Sequence, residues 1–369
     1  MKITVVQPKE LGSAELDTWR TLLRGSTDLI SPFLCPEFTI IVGRLRSDVR
    51  VAVIEDGGDI VGFFPFQRHP LGVGKPVGAG LTDAQGMILA RDLELNVNEL
   101  LQACGLSVWE FDHLLPDQFP GHHASRHPSP IMDLRDGYEA YADTVKRESG
   151  KTYRTTQYKT RKIARDHGEL HHHYGTRDLA ALRMLIGWKS EQYRRTGRTD
   201  RFAHPWIVQL VEDLLHTRTP TFAGVLDMLW VDDRPVAGHF GLRSDTVLAG
   251  WFPAYDTAFA GYSPGLIQHL AMAREAAKRG IRVIDLGRGE KEYKEKLKNG
   301  QWQVAEGRLA RPTVAAGLHW LLRAPVRGAR RTVLASPSLR VPADRVLKTY
   351  GRLRSTLSSP AHDHTSSSR

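Results

Sequence analysis

Apolar and polar residues alternate along this chain in two passages that share one order of elements. In the first, residues 2–7 read as a short strand, 13–24 and 36–46 as helices, and VRVAVIED (49–56) and DIVGFFPFQR (59–68) as a hairpin turned on Gly57 and Gly58. Two runs rich in Val, Ile and Phe parted by a pair of glycines are the usual hairpin signal. A strand near 72–79, a polar loop GLTDAQGMIL (80–89), a helix near 95–104 and the strand SVWEFDHL follow. The order is β-α-α-β-β-β-α-β.

The second passage repeats it. Residues 169–174 form a strand, and 177–195 a helix with Leu179, Leu182, Leu185 and Ile186 on one face. A second helix, 204–217, turns Ile207, Leu210, Val211 and Leu214 inward. GVLDMLWV (224–231), PVAGHFGL (235–242) and TVLAGWFP (246–253) make a meander, and a helix and the strand RVIDLG close the set. Two sequential copies of one layout predict a duplicated fold with a cleft between its halves, a common place for a ligand. The join falls between about 135 and 168. Past Arg308 the pattern changes to TVAAGLHWLLR and ADRVLKTYGRLRSTL, both helical, and a polar end, SSPAHDHTSSSR, of disordered composition. The expected units are 1–140, 141–310 and a basic helical tail, 311–369.

The helix near 264–279 has the clearest ends. Ser263 suits the N-cap, Pro264 the first helical position, and Gly280 the stop after a stripe of Leu266, Ile267, Leu270, Ala273 and Ala277. Its first turn leaves the N–H groups near Gly265, Leu266 and Ile267 without partners at the positive end of the helix dipole, which suits a phosphate.

Composition narrows the classes. With 369 residues, 41% hydrophobic and 25% charged, the chain has the make-up of a soluble protein of two or three units. No leader-like apolar stretch opens it, and no run reaches transmembrane length. Cys35 and Cys104 stand far apart in apolar surroundings, as core thiols of a reducing cytoplasm do. The net charge is +10, and it is unevenly placed: eleven of the 51 Lys and Arg but only two of the 41 Asp and Glu fall after residue 310. The body is therefore nearly neutral. The tail suits an anionic membrane surface, which would put a cytoplasmic protein at the inner face of the membrane. A second excess, at 144–168, sets eight basic residues against two acidic ones and adds Tyr153 and Tyr158, a composition open to RNA or another anionic polymer. No motif for specific DNA recognition accompanies it.

SPG (263–265) opening a helix, DLGRGEKEYK (285–294) about twenty residues on, AGHFGL and the early SPFLCPEF together resemble the GNAT acyltransferases of the CelD/BcsL type, acetyltransferases of cellulose biosynthesis. These are close to the Fem-type aminoacyltransferases, which pair two GNAT-like halves. The resemblance covers roughly 30–310 and is densest from 145 to 300. It implies an α+β fold of two tandem GNAT-like domains, each a mixed, largely antiparallel sheet flanked by helices. It also implies transfer of an acyl group, acetyl first, from acyl-CoA to an amine or hydroxyl acceptor such as a glycan precursor. One departure is visible: AFAGYSPG lacks the Arg or Gln that usually begins the GNAT phosphate loop, and Fem-type proteins, which lack it too, take aminoacyl-tRNA. Both donors stay open.

By the same resemblance Trp251 and Phe252 lie on the acyl-binding strand, with Gly261, Ser263, Gly265 and Leu266 on the donor side. Tyr293 then stands where a hydroxyl returns a proton to the leaving group. Asp285 and Glu290 are carboxylates able to take the acceptor's proton or orient it. Lys294 could meet a phosphate, or pair at i,i+4 with Glu290 as Lys296 does with Glu292. Asp83 and Gln85 fall where Fem-type proteins line the acceptor cleft, and Lys189 and Tyr193 share a helical face that could turn toward it. His239 reads as a core residue. The triplet at 171–173 alternates faces on a strand and cannot present three ligands together, so no metal site is expected. A binding module without catalysis is the remaining class.

Overall fold

The computed structural model describes residues 1–78, 80–91, 93, 95–289 and 291–313. In chain order they form β1 (Lys2–Val6), α1 (Ser13–Arg24), α2 (Pro36–Leu45), β2 (Val49–Asp56), β3 (Asp59–His69), β4 (Val73–Lys75), β5 (Ile88–Leu89), α3 (Val97–Ala103), β6 (Val108–Leu114) and β7 (His123–Asp133). Two helices, α4 (Gly137–Glu148) and α5 (Gly150–His167), lead to β8 (Leu170–Thr176), α6 (Leu179–Arg195), α7 (Pro205–His216), β9 (Arg218–Thr219), β10 (Phe222–Val231), β11 (Arg234–Arg243) and β12 (Val247–Tyr255). The last elements are α8 (Pro264–Lys278), β13 (Val283–Asp285), α9 (Glu292–Leu297) and β14 (Gly300–Ala310). The expected tail helices and the polar end lie outside the described residues.

Local chemistry accounts for the ends of several elements. Gly57 and Gly58 both hold positive φ, +60° and +98°, which lets the two-residue turn between β2 and β3 follow the twist of the strands. Asp178 caps α6 by accepting from the N–H groups of Ala180 at 2.8 Å and Ala181 at 3.1 Å.

All the described strands join one sheet, in the order β1-β2-β3-β4-β6-β14-β7-β13-β12-β11-β10-β8, with β5 beside β3 and β9 beside β10. Apart from the two-residue strands β5 and β9, the repeated order is observed, as β1-α1-α2-β2-β3-β4-α3-β6 and β8-α6-α7-β10-β11-β12-α8-β13. Each copy is followed by one more strand, and these two are exchanged. β7, which follows β6 in the chain, pairs with β13, while β14, which follows β13, pairs with β6. β7 and β14 then pair with each other and join the halves.

Helices cover both faces, so the strands are apolar on both sides rather than alternating. On β2, Val51 and Val53 pack under α1, with Ala52 and Ile54 under α3. Trp19 of α1 stacks on Phe63 with ring centroids 4.7 Å apart and donates its indole N–H to the Leu34 carbonyl, so its one polar atom is satisfied. In the second half α6 and α7 lie on one face and α8 and α4 on the other.

The exchanged strands are absent from the sequence reading, for a physical reason. β7 carries Pro128 and Pro130, residues that argue against a central strand. The Pro130 carbonyl accepts from Leu286 N–H at 3.0 Å. The N and C=O of a strand residue point the same way, so the N–H that Pro130 lacks is not one that β14 needs. β13 pairs only with Ile131–Asp133, leaving that side of β7 without a strand partner over both prolines.

Candidate active site

β12 and β13 run parallel for only three residues. Val247, Leu248 and Ala249 pair with Val283, Ile284 and Asp285. β12 continues to Tyr255 along β11, while the chain leaves β13 through Gly287, which has φ +73°. The parted strands leave a notch. An outer chamber of about 640 Å³ lies along Pro253, Ala254 and Tyr255 and reaches the start of α8 at Ser263, Gly265 and Leu266. A polar inner chamber of about 160 Å³ continues from it, and Lys189, Tyr193, His269 and Tyr293 border both.

The start of α8 differs from the expected cap. Ser263 is left-handed, φ 54° and ψ 50°, and its side chain caps no N–H of the helix. Its Oγ accepts instead from Lys159 Nζ at 2.8 Å. Leu266 N–H donates to the Ser263 carbonyl at 3.0 Å and Ile267 N–H to the same oxygen at 3.4 Å. Of the three amides expected to be unpaired, only that of Gly265 has no acceptor among the described residues. The anion-seeking groups here are thus one amide, the dipole and the Lys159 ammonium.

In the inner chamber the groups are held away from their charged forms. Lys189, 4% exposed, donates to the Pro253 carbonyl at 2.7 Å. Burial first, then neighbouring cations led by Lys291, lowers it to about 7. His269 Nδ1 lies 2.6 Å from the Gly265 carbonyl and must donate to it, leaving a lone pair on Nε2. Burial lowers that imidazole to about 4 and holds His239, 5.9 Å away between ring centroids, well below its ordinary value. The Tyr293 ring is 5.2 Å from that of His269, and burial, helped by Asp83, raises its hydroxyl well above the ordinary range. It stays protonated and can donate.

At the inner end of the notch the halves each contribute a carboxylate. Asp285 Oδ1 accepts from Ser129 Oγ at 3.0 Å and Gly287 N–H at 2.8 Å. Burial, then the charge of Asp83, raises its pKa to about 6. Asp83 is raised for the same leading reason, against the pull of His113, Lys294 and Arg201. A Cβ at residue 287 would stand 2.8 Å from Asp83 Oδ2, so glycine is needed there for space as well as for its positive φ. Lys294 is no solvated surface partner: it is 6% exposed and donates to the carbonyls of Gly287 at 2.7 Å and Arg288 at 3.1 Å, pinning the turn after Asp285. The expected Glu292–Lys296 pair does form, at 2.5 Å.

Other expected residues fall elsewhere. Gln85 is buried and faces no chamber; it bonds Asp112 Oδ1 at 2.7 Å and the N–H groups of Asp112 and His113 at 3.0 Å, tying the Asp83 loop to β6. Trp251 borders the inner chamber, but its indole is packed in the core on Phe252 and donates to the Leu81 carbonyl at 2.7 Å. Phe252 borders neither chamber, and Gly261 is exposed on the short turn Thr257–Tyr262. Glu290 lies outside the described residues. Lys159, His269, Ser129 and His113 are absent from the sequence reading. Two of them left a signal there: Lys159 lies in the basic excess at 144–168, and His269 four residues after Gly265 on the same helix face.

Residues 150–295 match the family model described as an acetyltransferase (GNAT) domain. No curated protein matches the chain. Among solved structures, FemX is similar over 87% of this chain and 99% of its own, at 8% identity and a TM-score of 0.58. The C-terminal DUF2156 domain of a protein described as a lysylphosphatidylglycerol synthetase, from Agrobacterium fabrum, matches over 84% and 95%, at 11% identity and a TM-score of 0.52. At these identities the likeness is one of fold: two GNAT-like halves in tandem.

Proposed function

We propose that the chain is an N-acyltransferase that moves an acyl group, acetyl first, from acyl-CoA to an amine. The observation that carries this reading is the parting of β12 from β13 at Ala249 and Asp285, with an anion-seeking helix start on one side and a carboxylate pair on the other. Donor phosphate meets Lys159 and the Gly265 amide, and the acyl chain lies along the free edge of β12. Asp285, with Asp83, takes the proton of the acceptor ammonium. The freed lone pair attacks the thioester carbon, the C–N bond forms, and collapse of the tetrahedral oxyanion breaks the C–S bond. The thiolate leaves with the proton of the Tyr293 hydroxyl, and the nitrogen's second proton, lost to solvent as the amide forms, is matched by the return of one to the Tyr293 oxygen. Lys294 acts through Gly287 and Arg288 by fixing the turn that holds Asp285. The finer CelD/BcsL assignment rests on the sequence resemblance of SPG, DLGRGEKEYK, AGHFGL and SPFLCPEF alone.

One observation favours a second donor. Lys159 belongs to α5, which also carries Lys151, Arg154, Arg161, Lys162 and Arg165 with Tyr158 exposed, so a basic helix leads to the start of α8. Aminoacyl-tRNA fits such a track. Purified protein offered acetyl-CoA, longer acyl-CoAs or charged tRNA with a panel of amines separates the donors. Release of free thiol from acetyl-CoA that depends on the amine is the expected result. Salt-sensitive RNA binding with no turnover of any donor would replace both readings with a binding module.

A further inference from the structure

Beyond the carboxylate pair lies another cavity, of about 570 Å³. Asp83 borders both it and the inner chamber, so it stands where the spaces meet, and Asp285 borders this cavity beside it. Its walls come from the 26–31 loop, the segment after β6 and Trp302–Val304 of β14.

The chemistry of these walls is one-sided. Asp28, Asp83, Asp117 and Asp285 contribute four carboxylates, and no Lys, Arg or His is among the described residues lining the cavity, in a body whose charges nearly balance. Most of the remaining wall is apolar, including Leu29, Leu115 and Trp302. A second observation points the same way. Asp285 is 3% exposed, its Oδ1 takes two donors, and its Oδ2 has none among the described residues. A carboxylate on a cavity wall that keeps an open acceptor can take a donor from a ligand there.

We propose that this cavity holds the acceptor, and that the acceptor is a primary amine entering as its ammonium on an apolar body. This rests on the acyltransfer reading above and adds the acceptor's class. The ammonium gives its N–H groups to Asp285 and Asp83, and the apolar body fills the space between Leu29, Leu115 and Trp302. Acceptors carrying a phosphate or carboxylate beside the amine meet four like charges and are rejected.

The test is calorimetric binding to the full-length protein, without donor, of hexylamine, phenethylamine, hexanol and hexanoate at pH 7.5. The amines are expected to bind, with hexanol weaker and hexanoate undetectable. Asp28→Asn and Asp117→Asn change exposed side chains and should each weaken the amines by about two- to fivefold. Ala90→Phe, filling the cavity, should abolish binding. Hexanoate or hexanol binding as well as hexylamine, no amine binding at all, or amine affinity unmoved in all three variants overturns the inference. Amine binding without thiol release from acetyl-CoA leaves it standing and sinks the acyl-CoA reading. Acyl transfer that favours anionic amines does the reverse.

Discussion

Asp285 carries a cost that its neighbours do not relieve. Its pKa of about 6 lies above the ordinary carboxyl value near 3.9, so between those limits the folded state holds a proton that the unfolded state has lost. Stability from this group is therefore present at low pH and falls as pH rises through about 6. Asp285→Asn keeps an acceptor for Ser129 and Gly287 and removes the buried charge. Its melting temperature should exceed wild type at pH 8, by on the order of 1–3 kcal/mol in stability, and converge toward it at pH 5. Activity should show the opposite sign. In wild type kcat/KM should rise with pH around 6, a limb that belongs to the Asp83–Asp285 pair jointly, and in the variant the limb should be lost with most of the rate. A stabilised, fully active variant would remove the pair from proton transfer. Tyr293→Phe separates two further roles. Proton donation predicts a turnover loss of about 10² to 10⁴ with donor affinity nearly constant, whereas packing predicts normal turnover and about 0.5 to 1.5 kcal/mol less stability. The types of these residues were legible in the sequence, but their meeting was not. Asp83 touches the turn at Gly287 through space that no local spacing encodes.

At the level of elements, legibility followed periodicity. Hairpins, amphipathic helices and the repeated order each carry their own signal within one segment. β7 and β14 do not, because their prolines, glutamines and histidines are accommodated by partners distant in the chain. The start of α8 shows the same limit. The residue before the helix was evident as a cap, yet its left-handed backbone, its uncapping side chain and its bond to Lys159 of α5 were not. Lys159→Met keeps the length of the side chain and removes the charge. The KM for acetyl-CoA should rise about three- to tenfold with kcat little changed, and Gly265→Asp, which brings a negative charge to the same place, should raise it further. Equal KM values in both folded variants would move the donor phosphates elsewhere.

For the whole molecule the asymmetry of charge matters most. No described helix is long and apolar enough to cross a membrane, and the excess of Lys and Arg lies after residue 310. If that segment rests on anionic lipid, each basic residue near the surface contributes about 1 kcal/mol. Full-length protein should then float with phosphatidylserine vesicles at low salt while residues 1–313 stay behind. Equal flotation would assign the tail to another task.

The exchange of β7 and β14 also dictates when the protein can be finished. Ala310 pairs with Val108, so on the ribosome the first half waits with the edge of β6 bare until almost all of the sheet-forming chain has been made. A long unpaired edge invites pairing with other chains, and contacts this distant in sequence form slowly. Residues 1–135 made alone should aggregate, and should be recovered as a soluble complex when 136–313 is produced beside them. The birth of this protein is thus a late event, in which the last of the described strands to be laid down closes the half that was begun first.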